Sequence, residues 1–180
     1  MAKLSGKTVA VLATDGVEQI ELTEPVKALK GEGATVEIVS LKAGAIQGFE
    51  HLTPGEQINV DVALDQADAR RYDALVLPGG VANPDLLRAD KAAVNFVEAF
   101  FADDRPVAAI CHAPWLLVEA GVVEGRSLTG YNSIRTDLSN AGGKVEDRAV
   151  VIDGNLITSR NPDDIPAFNA AIIKALGGQA

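Results

Sequence analysis

Five short, β-rich apolar runs, at residues 7–13, 35–41, 74–77, 107–110 and 150–152, are separated by longer segments, most of which repeat their apolar residues with helical period. Runs that short and that continuously apolar are buried on both faces, and helices on each side are what covers them. The alternation predicts a three-layer α/β sandwich with a mainly parallel sheet. In such a sheet a ligand site forms at the carboxyl ends of the strands. Three loops follow: residues 14–18, 78–83, and Cys111-His112.

The helical segments carry their own punctuation. The first is expected within residues 19–30, with Leu22, Val26 and Leu29 facing inward and Pro25 either kinking it or lying in its opening turns. A second starts at Asn83-Pro84, a capping residue before a proline, and runs through Leu86, Leu87, Val94, Val97, Phe100 and Phe101. The last repeats the device at Asn161-Pro162, sets Asp163 and Asp164 against its positive end, buries Ile165, Phe168, Ile172 and Leu176, and stops at Gly177-Gly178. Between residues 41 and 64, Gly44, Gly48, Pro54 and Gly55 among short alternating runs indicate a small β-hairpin excursion, not a second domain.

The 180 residues suit one core, so residues 1–180 are read as a single domain. Sixteen basic against 25 acidic residues give a net charge of -9, which repels a phosphate backbone and argues against nucleic acid as a partner. One cysteine and two histidines make a thiolate or imidazole metal site hard to assemble, and no metal or cofactor is expected. The opening apolar run is far too short for a signal peptide or a membrane span, so no membrane association and a cytoplasmic location are expected.

Cys111 closes a strand and opens a segment of helical composition. A side chain on such a turn is held out of the sheet, and free N–H groups at a helix start would lower the thiol pKa. The alternative is a small buried core cysteine. Gly79 and Gly80 directly follow a strand and, with the N–H of His112, could form an oxyanion hole, although Pro-Gly-Gly is also ordinary loop sequence. Glu18 lies in the loop after the first strand and should reach the crevice of Cys111, protonated if it is to donate to sulfur; Glu21 and Glu24 read as first-turn helix carboxylates. His51 reads as a surface residue of the excursion. With no histidine after His112, a triad built on a distal histidine is disfavoured.

Ala109-Ile-Cys-His-Ala-Pro-Trp115, with Leu77-Pro-Gly-Gly80, Val17-Glu-Gln-Ile-Glu21 and Thr158-Ser-Arg-Asn-Pro-Asp-Asp164, resembles the PfpI intracellular-protease family of the ThiJ/PfpI superfamily over nearly the whole chain. The resemblance implies a flavodoxin-like sandwich, a homodimer or higher oligomer, and a reactive elbow cysteine at Cys111 with an acidic partner at Glu18. It also implies activity as a cysteine peptidase, a glyoxalase- or deglycase-like enzyme, a chaperone or a general stress protein. Where members proposed as peptidases offer a neighbouring subunit's glutamate to the elbow histidine, this chain has Asp85, one methylene shorter. Ala113 and Trp115 replace the usual glycine and glutamine, which predicts helical backbone at Ala113 and a bulkier wall at Trp115. Tyr131 matches a family tyrosine near the site and otherwise reads as a half-buried packing ring. Two functions remain open on these residues: a cysteine-nucleophile enzyme acting on small reactive carbonyls or peptides, and a redox-sensing or chaperone-like stress protein in which Cys111 is oxidised without turnover.

Overall fold

The computed structural model describes residues 3–177. In chain order these form β1 (Thr8–Leu12), β2 (Val17–Glu18), α1 (Gln19–Gly31), β3 (Thr35–Ser40), β4 (Ala45–Glu50), β5 (Thr53–Asn59), β6 (Val62–Ala63), β7 (Ala74–Leu77), α2 (Ala82–Arg88), α3 (Lys91–Ala102), β8 (Val107–Ile110), α4 (Pro114–Glu119), β9 (Ser127–Leu128), α5 (Arg135–Asn140), β10 (Lys144–Val145), β11 (Val150–Asp153), β12 (Leu156–Ser159) and α6 (Ile165–Ala175).

Seven strands make the central sheet in the order β11-β12-β8-β7-β1-β3-β6. All its pairings are parallel except β11 with β12. The two-residue period of each strand divides the core in two. Ala10, Leu12, Leu75, Leu77, Val107 and Ala109 pack with Leu87 of α2, Phe96 and Phe100 of α3 and Leu116 of α4 on one face. Val9, Val11, Val76, Ala108 and Ile110 pack with Leu22 and Leu29 of α1 and Phe168 and Ile172 of α6 on the other. This is the expected three-layer α/β/α sandwich. The hairpin excursion is β4 and β5, antiparallel to each other, with β2 alongside β4.

Three readings need correction. The helix expected from Asn83 is two helices: the Asp90 side chain accepts from the N–H groups of Ala92 and Ala93 and starts α3 afresh, which leaves Leu86 exposed and Phe101 half-buried. Asn83 is no cap. It is fully buried in α2, its Oδ1 accepting from the N–H of Thr14 at 2.8 Å while its Nδ2 donates to the carbonyls of Pro78 at 2.8 Å and Gly79 at 3.0 Å. It therefore ties together the loops after β1 and β7, the neighbouring strands on either side of which the chain runs in opposite directions across the sheet. Finally, Leu156–Ser159, outside the five apolar runs of the sequence, forms β12, which separates β8 from the edge strand β11.

Asn161 caps the turn before α6 as expected, its side chain accepting from the N–H of Asp163. Pro25 lies well inside α1 and is buried. The glycine pair read as the end of the last helix reaches Gly178, outside the described residues.

Candidate active site

The end of β8 is where the chain is most constrained. Cys111 follows Ile110 with φ of 64°, a left-handed backbone that a non-glycine residue adopts only when its surroundings enforce it. Here they do: the Cys111 N–H donates to the Ser159 carbonyl at 3.1 Å, and the Cys111 carbonyl accepts from the Tyr131 N–H at 2.8 Å. Ala113 adopts helical angles, as the absence of the family's glycine suggested, and Pro114 begins α4.

Glu21, rather than Glu18, is the carboxyl group beside the thiol. Its side chain is fully buried, its Oε2 accepts the Gly79 N–H at 3.0 Å, and it faces Cys111 closely enough for each group to shift the other's proton affinity. Helical period explains the placement: Glu21 precedes Pro25 and Leu29 on the inward stripe of α1, whereas Glu18 ends β2 just before the helix. The Glu18 carboxylate instead accepts the backbone N–H of His51 at 3.1 Å and holds the tip of the β4–β5 hairpin at the rim. His51 itself is exposed, with φ of 56°.

Burial pushes the Glu21 pKa up to about 8; the contact with Cys111 opposes the rise, the Glu18 charge adds to it, and the Gly79 N–H opposes it. Glu21 is thus mostly protonated at neutral pH, and its Oε1 is buried without a hydrogen-bond partner. Burial and then the Glu21 charge push the Cys111 thiol up, against the N–H groups of Gly80 and His112 that face the sulfur. This reverses the expected depression. The desolvation of a thiolate only 6% exposed outweighs what the Gly80 N–H, in the loop after β7, and the His112 N–H, before α4, supply.

The two glycines divide their work. The Gly79 N–H is taken by Glu21 and is not free for an oxyanion; a Cβ at Gly79 would lie 2.5 Å from Glu21 Oε2 and 2.6 Å from Cys111 Cβ, so only glycine fits. Gly80 has φ of 84° and lines the cleft.

His112 does meet its neighbour, its Nδ1 lying 3.1 Å from Cys111 Sγ. Burial lowers its pKa. The Tyr131 ring stacks on the imidazole at 4.6 Å and the Trp115 ring stands edge-on at 5.3 Å. Tyr131 is therefore a wall of the site, not only a packing ring. Ser133, not singled out from sequence, places Oγ 3.3 Å from His112 Nε2.

These groups open into one cleft of about 1010 Å³, whose lining includes Cys111, His112, Glu18, Glu21, Gly80, Asp85, Trp115 and Tyr131. Asp85 is exposed on α2, and Leu52, Val81 and Leu86 are exposed apolar side chains of the same lining. Among the described residues no group of three or more His, Cys, Asp or Glu could hold a metal ion, and no helix is long and apolar enough to cross a membrane.

The sequence profile of the DJ-1/PfpI family matches residues 7–175. The chain is 45% identical over 170 residues to a putative cysteine protease, YraA, of Bacillus subtilis, covering 94% of this chain and 98% of that one. It is 43% identical over 168 residues to the deglycase TK1284 of Thermococcus kodakarensis, covering 93% and 98%. Among solved structures, a two-domain protein from Anabaena variabilis with DJ-1/ThiJ/PfpI-like and ferritin-like domains superposes with a TM-score of 0.91 at 36% identity; the match covers 96% of this chain and 48% of that one, so this chain spans about half of it.

Proposed function

The chain belongs to the DJ-1/PfpI family, and from that premise we propose that it is a cysteine-dependent enzyme acting on small reactive carbonyls or their adducts. The observation that carries this reading is the buried constellation of Cys111, His112 and a protonated Glu21. For a 2-oxoaldehyde, the Cys111 proton passes to His112 Nδ1 as sulfur adds to the aldehyde carbon. The carbonyl electron pair moves to oxygen, which faces the N–H groups of Gly80 and His112 and takes the Glu21 proton. Ionised Glu21 then takes the proton of that carbon to give an enediol, exchanges it with water in the cleft and returns a proton to the neighbouring carbon, with His112 exchanging protons with the oxygens. Water hydrolyses the resulting thioester, releasing a 2-hydroxy acid and restoring the thiol, and exchange through cleft water returns the His112 proton to Glu21. One carbon is oxidised and its neighbour reduced, so no outside oxidant or reductant enters.

Peptide hydrolysis asks one more step of the site, because an amine leaving group must also be protonated by a well-oriented imidazolium, whereas addition to an aldehyde expels no group. The redox-sensing alternative uses the same cysteine without turnover, and the peroxide challenge separates it from catalysis. Leu52, Val81 and Leu86 beside Asp85 support self-association over the cleft mouth; a monomer in sedimentation at micromolar concentration would refute that part. Methylglyoxal turnover, a peptide panel and a peroxide challenge, each run beside Cys111→Ser, test the function. Methylglyoxal loss that requires Cys111 is expected, and peptide cleavage without methylglyoxal turnover would overturn the reading.

A further inference from the structure

From the surroundings of the His112 ring we infer that Ser133 is a positioning residue that orients this imidazole from within the same chain. The inference rests on the reading of Cys111 and His112 as the reacting pair. The two ring nitrogens have distinct contacts, Nδ1 with Cys111 Sγ at 3.1 Å and Nε2 with Ser133 Oγ at 3.3 Å. The faces and edge are held as well, by the stacked Tyr131 ring and the edge-on Trp115 ring. Ser133 and Tyr131 come from one segment, and Trp115 of α4 is tied to the helix that follows it through Nε1, which donates to Asp137 of α5 at 2.8 Å.

The segment is fixed to the elbow. The Tyr131 N–H donates to the Cys111 carbonyl, the Ile134 N–H donates to the Tyr131 carbonyl at 3.1 Å, and Ile134 is fully buried. Ser133 lies between these anchors, so its hydroxyl is presented to the ring by backbone that the elbow itself positions. A hydroxyl suits the task because it both donates and accepts. While Nδ1 carries the proton, Ser133 donates to Nε2. In the other neutral tautomer the hydroxyl rotates and accepts from Nε2–H, which leaves Nδ1 free to accept the thiol proton, and the same bond holds the ring once it is cationic. A carboxylate at the same place would favour only the charged ring. Besides His112 the titratable groups lining the cleft are Asp15, Glu18, Glu21, His51, Asp85, Cys111 and Tyr131, with Arg88 of α2 over the outer Trp115 ring. Among the described residues the hydrogen-bond partner of Nε2 is Ser133 Oγ, not one of these groups.

The test measures Cys111 alkylation by iodoacetamide from about pH 5 to 9, together with the 15N shifts of the His112 ring. It compares wild type, Ser133→Ala, Ser133→Thr, and Ser139→Ala as a control on the exposed side of α5. Ser133→Ala should slow alkylation on the order of tenfold, the size of a lost hydrogen bond to a charged group, and should move both the His112-dependent inflection and the Nε2 shift. Threonine should restore them, and Ser139→Ala should match wild type. Unchanged 15N shifts and profile in Ser133→Ala, or a loss that threonine does not restore, would overturn the role. A wild-type Cys111 that does not alkylate at any pH would instead remove the reactive-cysteine reading, and the 15N shifts would still decide whether Ser133 holds the ring.

Discussion

Replacing Glu21 with glutamine should make the chain more stable at alkaline pH relative to wild type, by an amount that follows from burial. The carboxyl titrates at about 8 in the fold against an ordinary 4.5. The folded chain therefore binds this proton more tightly than the unfolded one. The associated stability is fully present below the unfolded value of 4.5 and is lost as pH rises through the folded value of about 8. The loss reaches about 3 kcal/mol near pH 7 and approaches about 5 kcal/mol above pH 8. Glutamine keeps an acceptor for the Gly79 N–H but never ionises. Urea unfolding of both proteins at about pH 5 and about pH 8.5 isolates the contribution, because groups common to both cancel. The gap between variant and wild type should widen by about 4 kcal/mol in favour of glutamine across that interval. A gap constant to within about 1 kcal/mol would refute the assignment of Glu21 as a carboxyl kept neutral by desolvation.

The other expectations concern how the elbow is held. Gly79→Ala puts a methyl between Glu21 and Cys111; it should destabilise by about 1–3 kcal/mol in thermal unfolding and disrupt Cys111 alkylation. Asn83→Ala strands the Thr14 N–H and removes two donated bonds at a fully buried position; denaturant unfolding should show a loss of about 2–4 kcal/mol. Glu18→Ala removes the acceptor of the His51 N–H and should loosen the hairpin tip, visible as faster amide exchange there, while the pH dependence of alkylation stays closer to wild type than in Glu21→Gln.

The layers were legible because a strand buried on both faces must be apolar throughout, as β1, β7 and β8 are. β12 escaped because two of its four buried residues are Thr158 and Ser159. Their hydroxyls satisfy neighbouring backbone, Thr158 Oγ1 accepting the Thr129 N–H and Ser159 Oγ donating to the Ala149 carbonyl, so polar letters hide a buried strand. Cys111, His112 and Gly80 were found from their place after strands. Loop position points to Glu18, whereas helical phase points to Glu21, which shares the inward face of α1 with Pro25 and Leu29. Ser133 left no such trace, since its approach to His112 depends on tertiary contacts between Tyr131 and the elbow.

The most direct test of the account is the fate of methylglyoxal in D2O, followed by proton NMR with wild type and Cys111→Ser. Addition to Cys111 followed by a proton transfer through Glu21 predicts a 2-hydroxy acid carrying deuterium at the hydroxyl-bearing carbon, formed by wild type only. Product formed equally by Cys111→Ser, product without deuterium at that carbon, or no 2-hydroxy acid at all would contradict it.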